Sequence, residues 1–135
     1  MRRAAVALAF AATLAVPAGA VGLGPLSKSG ITDGPAKAFY LTLYNPYRAR
    51  TAYAVYAIGT ADETPQARVR FPVKTFALRA ESGRRFMVIA DALAPGETYT
   101  FRVCAEKADD EKEPIHARVC SRITARRIGG GVSGA

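Results

Sequence analysis

The run Leu93-Ala94-Pro95-Gly96-Glu97-Thr98-Tyr99-Thr100-Phe101-Arg102-Val103-Cys104-Ala105 decides how the rest of the chain is read. It opens on a Pro-Gly turn and passes into alternation. Tyr99, Phe101, Val103 and Ala105 share one side, and Thr98, Thr100, Arg102 and Cys104 share the other. A period of two with one apolar side belongs to a strand that covers a core and meets water on its outer face. Tyr99, just past the corner, fits a tyrosine corner, in which the ring is buried and the hydroxyl bonds to backbone a few residues upstream. An ordinary core tyrosine fits the same position.

The flanking segments carry the same period. Arg84 to Ala90 sets Phe86 and Val88 against Arg85, Met87 and Ile89. Lys37 to Asn45 puts Phe39, Leu41 and Leu43 on one face, and Asn45-Pro46 ends it with turn chemistry. Thr51 to Ile58 is apolar on both faces, as a central strand should be. Gln66 to Phe71 reads as a strand that Pro72 interrupts, so it lies at an edge or switches between sheets. Val73 to Leu78 resumes the extended chain, and Ile115 to Thr124 closes it. The Gly-, Ser- and Pro-rich segment 21–35 holds one short candidate, Leu26 to Ile31, as an edge strand or ordered arm. No helical period of useful length is present after residue 20. About seven short strands predict an all-β, immunoglobulin-like β-sandwich over residues 36–125, followed by a disordered Gly-rich tail, 126–135.

Residues 1–20 read as a cleavable signal peptide. Arg2 and Arg3 precede an apolar run from Ala4 to Val16, and Pro17-Ala18-Gly19-Ala20 offers a small-x-small cleavage site. The run is shorter than the ~20 apolar residues that span a bilayer, so no stable membrane span is expected after cleavage. Removal leaves residues 21–135, enough for one domain. It also takes the Lys and Arg count from 19 to 17 against 11 Asp and Glu, so the formal charge falls from +8 to +6. That balance favours acidic partners such as anionic lipid or carboxylates, but a solvated sheet face carrying Arg for solubility accounts for it more simply. Export points to a periplasmic or secreted protein and away from nucleic acid.

Cys104 and Cys120 are the only cysteines. In the last strand Ile115, Ala117, Val119 and Ile123 mark the inner face, which leaves His116, Arg118, Cys120 and Arg122 outside. A hairpin turning near Lys112 sets Cys104 opposite Cys120 on the same outer face, so a disulfide is feasible in an oxidising compartment; two free thiols are the alternative. Two Cys and the lone His116 do not fill a four-ligand metal shell. No metal or cofactor is expected. Nor is an enzyme expected, because the serines have one histidine among them and no nucleophile context.

In this order the pieces resemble the N-terminal immunoglobulin-like domain of the PapD-like periplasmic chaperones of pilus and fimbrial assembly. The likeness covers about residues 25–125. It rests on Ala52-Tyr53-Ala54-Val55-Tyr56 after the strand ending at Asn45, on Arg70-Phe71-Pro72-Val73-Lys74-Thr75-Phe76-Ala77-Leu78, and on Gly83-Arg84-Arg85-Phe86-Met87-Val88-Ile89. A branch of that family joins its last two strands by a disulfide, as Cys104 and Cys120 would. The resemblance implies that the final strand lends apolar side chains to an incomplete, pilin-like secreted subunit or envelope protein. Ile115, Ala117 and Val119 would be the donor positions. Arg122 would anchor the subunit's terminal carboxylate, with Lys28 as the basic residue of the early strand. A solvated surface cation is the other reading of Arg122.

The chain departs from the pattern in the small Ala117, in the acidic Asp109-Asp110-Glu111-Lys112-Glu113 loop and in Lys28, where the family has Arg. It also matches only one of the family's two domains. The corner Leu93-x-Pro95-Gly96-Glu97-x-Tyr99 fits a fibronectin type III-like adhesion or structural envelope module as well. Whether residues 66–79 switch between sheets separates the two. Oligomeric state is not legible.

Overall fold

A computed structural model describes residues 22–108 and 117–129. The expected signal peptide, Ile115, His116, most of the acidic loop and residues 130–135 lie outside the described residues. Nine strands are present among those described: β1 (Gly22–Gly24), β2 (Ser27–Thr32), β3 (Lys37–Tyr44), β4 (Thr51–Ile58), β5 (Val69–Arg70), β6 (Thr75–Leu78), β7 (Gly83–Ala90), β8 (Thr98–Lys107) and β9 (Arg118–Arg127). They form two sheets, ordered β1-β3-β7-β5 and β2-β9-β8-β4-β6. The inner faces meet in one core that includes Phe39, Leu41, Leu43, Val88, Phe101 and Ile123. The fold is thus the all-β sandwich that the alternation predicts, and β4 is interior to its sheet, as its two apolar faces require.

The count exceeds seven by two. The N-terminal arm supplies two strands, because it crosses from one sheet to the other: β1 pairs antiparallel with β3, and β2 pairs parallel with β9. Within β2, Gly30 lets the strand lie close over β3, since a Cβ there would lie 2.7 Å from Lys37 Cε and 2.9 Å from Phe39 Cε1. The stretch around Pro72 divides as the sequence expects, giving β5 at the edge of one sheet and β6 at the edge of the other. Residues 66–79 therefore do switch sheets. The expected strand from Gln66 shrinks to Val69–Arg70, because Gln66 closes a turn: its C=O accepts from Val69 N–H at 3.1 Å. At the other end β9 runs two residues past the expected boundary, held to Arg127 by its pairing with Thr32.

Asn45 stops β3 and knits the turn behind it. Fully buried, its amide donates to the carbonyls of Ala49 (3.0 Å), Leu78 (3.2 Å) and Arg79 (3.0 Å). Its oxygen accepts from Tyr47 N–H (3.1 Å) and the Tyr53 hydroxyl (2.8 Å). A buried amide satisfied on both ends explains why this polar residue can sit in the core.

Candidate functional site

The β8–β9 hairpin has the register that the cysteines require. Cys104 and Cys120 are direct partners, 4.0 Å apart at Cα and joined by a disulfide. Cys104 lies on the outer face as predicted, yet it is 0% exposed. Its cross-strand neighbours on that face are Cys120 and Tyr56.

Along β9 the side away from β8 is only partly covered. β2 covers it from Arg122 to Arg127, beginning with the Arg122 N–H bond to Leu26 C=O at 2.8 Å. Backbone groups of an antiparallel strand alternate in direction. Arg118 and Cys120 therefore turn their N–H and C=O groups the same way as Arg122. No described strand pairs with them there. The result is a short open edge from Ala117 to Ser121, ready in principle to accept another extended chain.

The sequence-predicted residues distribute around this edge. Ala117 is exposed just ahead of β9, and Val119 is half-buried against the core. The Arg122 side chain is exposed on the outer face and makes no hydrogen bond or ion pair to a described residue. Lys28 is the register partner of Ile123, not of Arg122, so it faces inward, and its Nζ donates to Tyr40 C=O at 3.0 Å. Lys28 and Arg122 therefore lie on opposite faces of one sheet, and the fold does not bring them together.

Tyr99 corrects the corner reading. Its hydroxyl donates to Gln66 Oε1 at 2.5 Å, a side chain 33 residues away, and not to upstream backbone. The physical reason is Arg68. Its guanidinium stacks 4.2 Å from the ring centre and grips Glu97 through both terminal nitrogens, at 2.9 and 2.6 Å. Arg68, with a further bond from Ala94 N–H, holds the Glu97 carboxyl down at about 2. Sequence reading missed this cluster, because Gln66 and Arg68 carry no local signal for partners some thirty residues on.

Two further features complete the surface. The crossing between β5 and β6 leaves a cavity of about 680 Å³ beside β4, lined in part by Ala57, Phe71, Pro72 and Ile89. Among the described residues no group of three His, Cys, Asp or Glu side chains could hold a metal ion, and no helix is long and apolar enough to cross a membrane.

No family model matches the chain, and no curated protein matches it. Solved structures do. The E. coli chaperone DraB superposes with a TM-score of 0.64 at 13% identity, over 81% of this chain and 55% of that one. The fold is PapD-like. The SafB chaperone of Salmonella enterica, solved in complex with the SafA pilin, gives a TM-score of 0.65 at 16% identity, over 84% of this chain and 57% of its own. A PapD-like domain of human CEP192 gives 0.63 at 13% identity and matches nearly end to end, over 96% and 99%. The chain thus spans a little more than half the length of the chaperones and about the whole of the single PapD-like domain.

Proposed function

We propose that this PapD-like chain is an exported binding module that holds an extended segment of a secreted, pilin-like subunit along the open edge of β9, as a chaperone would. The observation that carries the reading is the unpartnered edge from Ala117 to Ser121, set in a stapled hairpin. Main-chain bonds to Arg118 and Cys120 would supply affinity, and alternate side chains would supply selectivity. Ile115, Ala117 and Val119 are the donor positions. Arg122, exposed and unpaired among the described residues, is the anchor for a terminal carboxylate. Lys28 is a second cation of the same edge, held apart on the inner face. The likeness to a chaperone solved with a pilin supports this partner class and a periplasmic location. The role is binding and not catalysis.

The test is co-expression with a pilin-type subunit exported by the same cell, followed by amide hydrogen exchange on the purified complex. A one-to-one complex with new protection at Arg118 and Cys120, lost in Arg118→Pro, is the expected result. A complex in which those two amides exchange as before would place the partner elsewhere and overturn the reading.

A further inference from the structure

The outer face of the β2-β9-β8 sheet carries a second surface, separate from the open edge. Its register sets out three rows. Ser27, Arg122 and Arg102 form the first, Ser29, Thr124 and Thr100 the second, and Ile31, Arg126 and Thr98 the third. None of the nine is acidic. Arg102 donates to the carbonyls of Gly59 (2.7 Å) and Asp62 (2.9 Å), and the Asp62 carboxylate beside it offsets part of its charge, which leaves Arg122 and Arg126 as the free cations of the face among the described residues. The side chains of Arg122 and Arg126 are exposed and have no hydrogen-bond or ion-pair partner among the described residues. Arg102 and Arg122 sit directly across from each other, an arrangement of like charges that destabilises a strand pair unless an anion lies over it. Among the described residues acids border the face without lying in these rows: Asp33 and Glu97 lie in the turns at the strand ends, Glu97 engaged by Arg68, Asp62 is electrostatically coupled to Arg102, and Glu106 lies further along the outer face of β8.

Apolar groups flank these cations. Ile31 is 60% exposed and is the register partner of Arg126, and Ile128, two positions further along β9's line, is 55% exposed. Ile128 is tied to the edge by its N–H bond to Thr32 C=O at 2.9 Å. Leu26, 63% exposed, stands at the start of β2. Among the described residues, three of the six large exposed apolar side chains thus lie along one strand edge beside these arginines.

We infer that this face docks on an anionic bilayer surface, with Arg122 and Arg126 over lipid headgroups and Ile31 and Ile128 dipping into the interface. Cations alone would suit any polyanion. The exposed isoleucines at the same level single out a surface that is charged above and apolar below, which is the chemistry of a lipid interface. Occupation of this face leaves the backbone edge of β9 from Ala117 to Ser121 free, but it shares Arg122 with the carboxylate anchor proposed above, so the two ligands would compete for that side chain.

The experiment uses protein purified with its N-terminus as the cell leaves it, and co-sedimentation with vesicles. One set is phosphatidylcholine and phosphatidylglycerol in equal parts, and the other is phosphatidylcholine alone. Binding to the first set only is expected. Arg126→Gln should lower it about five-fold, at ~1 kcal/mol per cation near the surface. Ile31→Ser with Ile128→Ser should lower it about ten-fold. All three positions are exposed, so the fold should survive the changes. The chain contains no tryptophan, so Ile31→Trp provides a single reporter, whose emission should shift to the blue on the anionic vesicles. Equal binding to both sets, unchanged binding by the variants, or an unshifted reporter would each overturn the proposal. So would binding to soluble polyglutamate that leaves no affinity for vesicles, which would assign the face to an acidic protein.

Discussion

Replacing Asn45 tests whether one buried side chain holds the β3–β4 turn and the β6 edge together. In Asn45→Ala the deeply buried Tyr53 hydroxyl loses its Asn45 partner, and the Leu78 carbonyl loses one bond while keeping its place opposite Thr51 in the β4–β6 ladder. A buried group left unsatisfied costs ~1–3 kcal/mol and a bond lost from a group that keeps another costs about 1 kcal/mol, so the loss should be about 3 kcal/mol. The bonds to Ala49, Arg79 and Tyr47 lie nearer the surface, where water can replace them. Tyr53→Phe alone removes one hydrogen bond from an amide oxygen that keeps its Tyr47 partner, a cost of about 1 kcal/mol. Combined with Asn45→Ala, Tyr53→Phe should cost nothing or restore stability, because it removes the orphaned hydroxyl. The double-mutant cycle should therefore give a coupling of about 1–2 kcal/mol. Urea unfolding followed by circular dichroism reads this directly, since 1 kcal/mol moves a midpoint by ~0.5–1 M. If Tyr53→Phe costs the same in both backgrounds, the network is not the unit described here.

Burial also pushes the Tyr53 phenol up to about 12, with the Tyr47 charge adding to the effect. An acid whose folded pKa is raised stabilises below its unfolded value, ~10 for tyrosine, so stability should fall as pH rises from 10 towards 12. Tyr53→Phe should flatten that fall in alkaline denaturation. Replacing both Cys104 and Cys120 by Ala opens a cross-link with a sequence separation of 16. That should cost about 3 kcal/mol and lower Tm by ~10 °C in calorimetry, and added reductant should do the same to the unaltered protein. Arg68→Ala should lift the Glu97 carboxyl from about 2 towards the ordinary range, as read by an NMR titration. Because that pKa is depressed in the fold, its stabilisation is present above the ordinary carboxylate range and lost as pH falls towards 2. A Glu97 value unmoved in Arg68→Ala would assign the effect to Ala94 N–H.

The parts of the molecule with a clean period were legible from sequence. Phe39, Leu41 and Leu43, Phe86 and Val88, and Phe101 and Val103 all face the core as their alternation requires. The same parity set the cysteines opposite each other. What lacked a period was not legible. In β2, Ser27-Lys28-Ser29-Gly30-Ile31-Thr32 offers Ile31 as its one large apolar side chain, and hydrophobic reasoning would turn it inward. The register turns it out, because Gly30 must occupy the inner position against Phe39. That inversion of face also carries Lys28 inward. The Tyr99 partners escaped for a different reason: a hydrogen bond to Gln66 and a stacked Arg68 are tertiary contacts that only the β5 turn creates.

The facing of Lys28 bears on how a carboxylate would be held. If Lys28 and Arg122 gripped one carboxylate together, removing either would spoil the same interaction, and the double variant would be little worse than each single one. Their opposite faces argue for independent effects. Arg122→Gln should weaken binding of a peptide with a free C-terminal carboxylate about ten-fold, the loss of one charge-assisted contact. Lys28→Met should leave that affinity within about two-fold and instead cost about 1 kcal/mol of stability, through its lost bond to Tyr40 C=O. Titration calorimetry on the two single variants and the double variant separates these patterns. Additive free energies, with the affinity loss confined to Arg122→Gln, fit the observed sheet. A Lys28→Met variant that binds as poorly as Arg122→Gln, with no further loss in the double variant, would mean that the two cations converge and that β2 shifts its register when the partner binds.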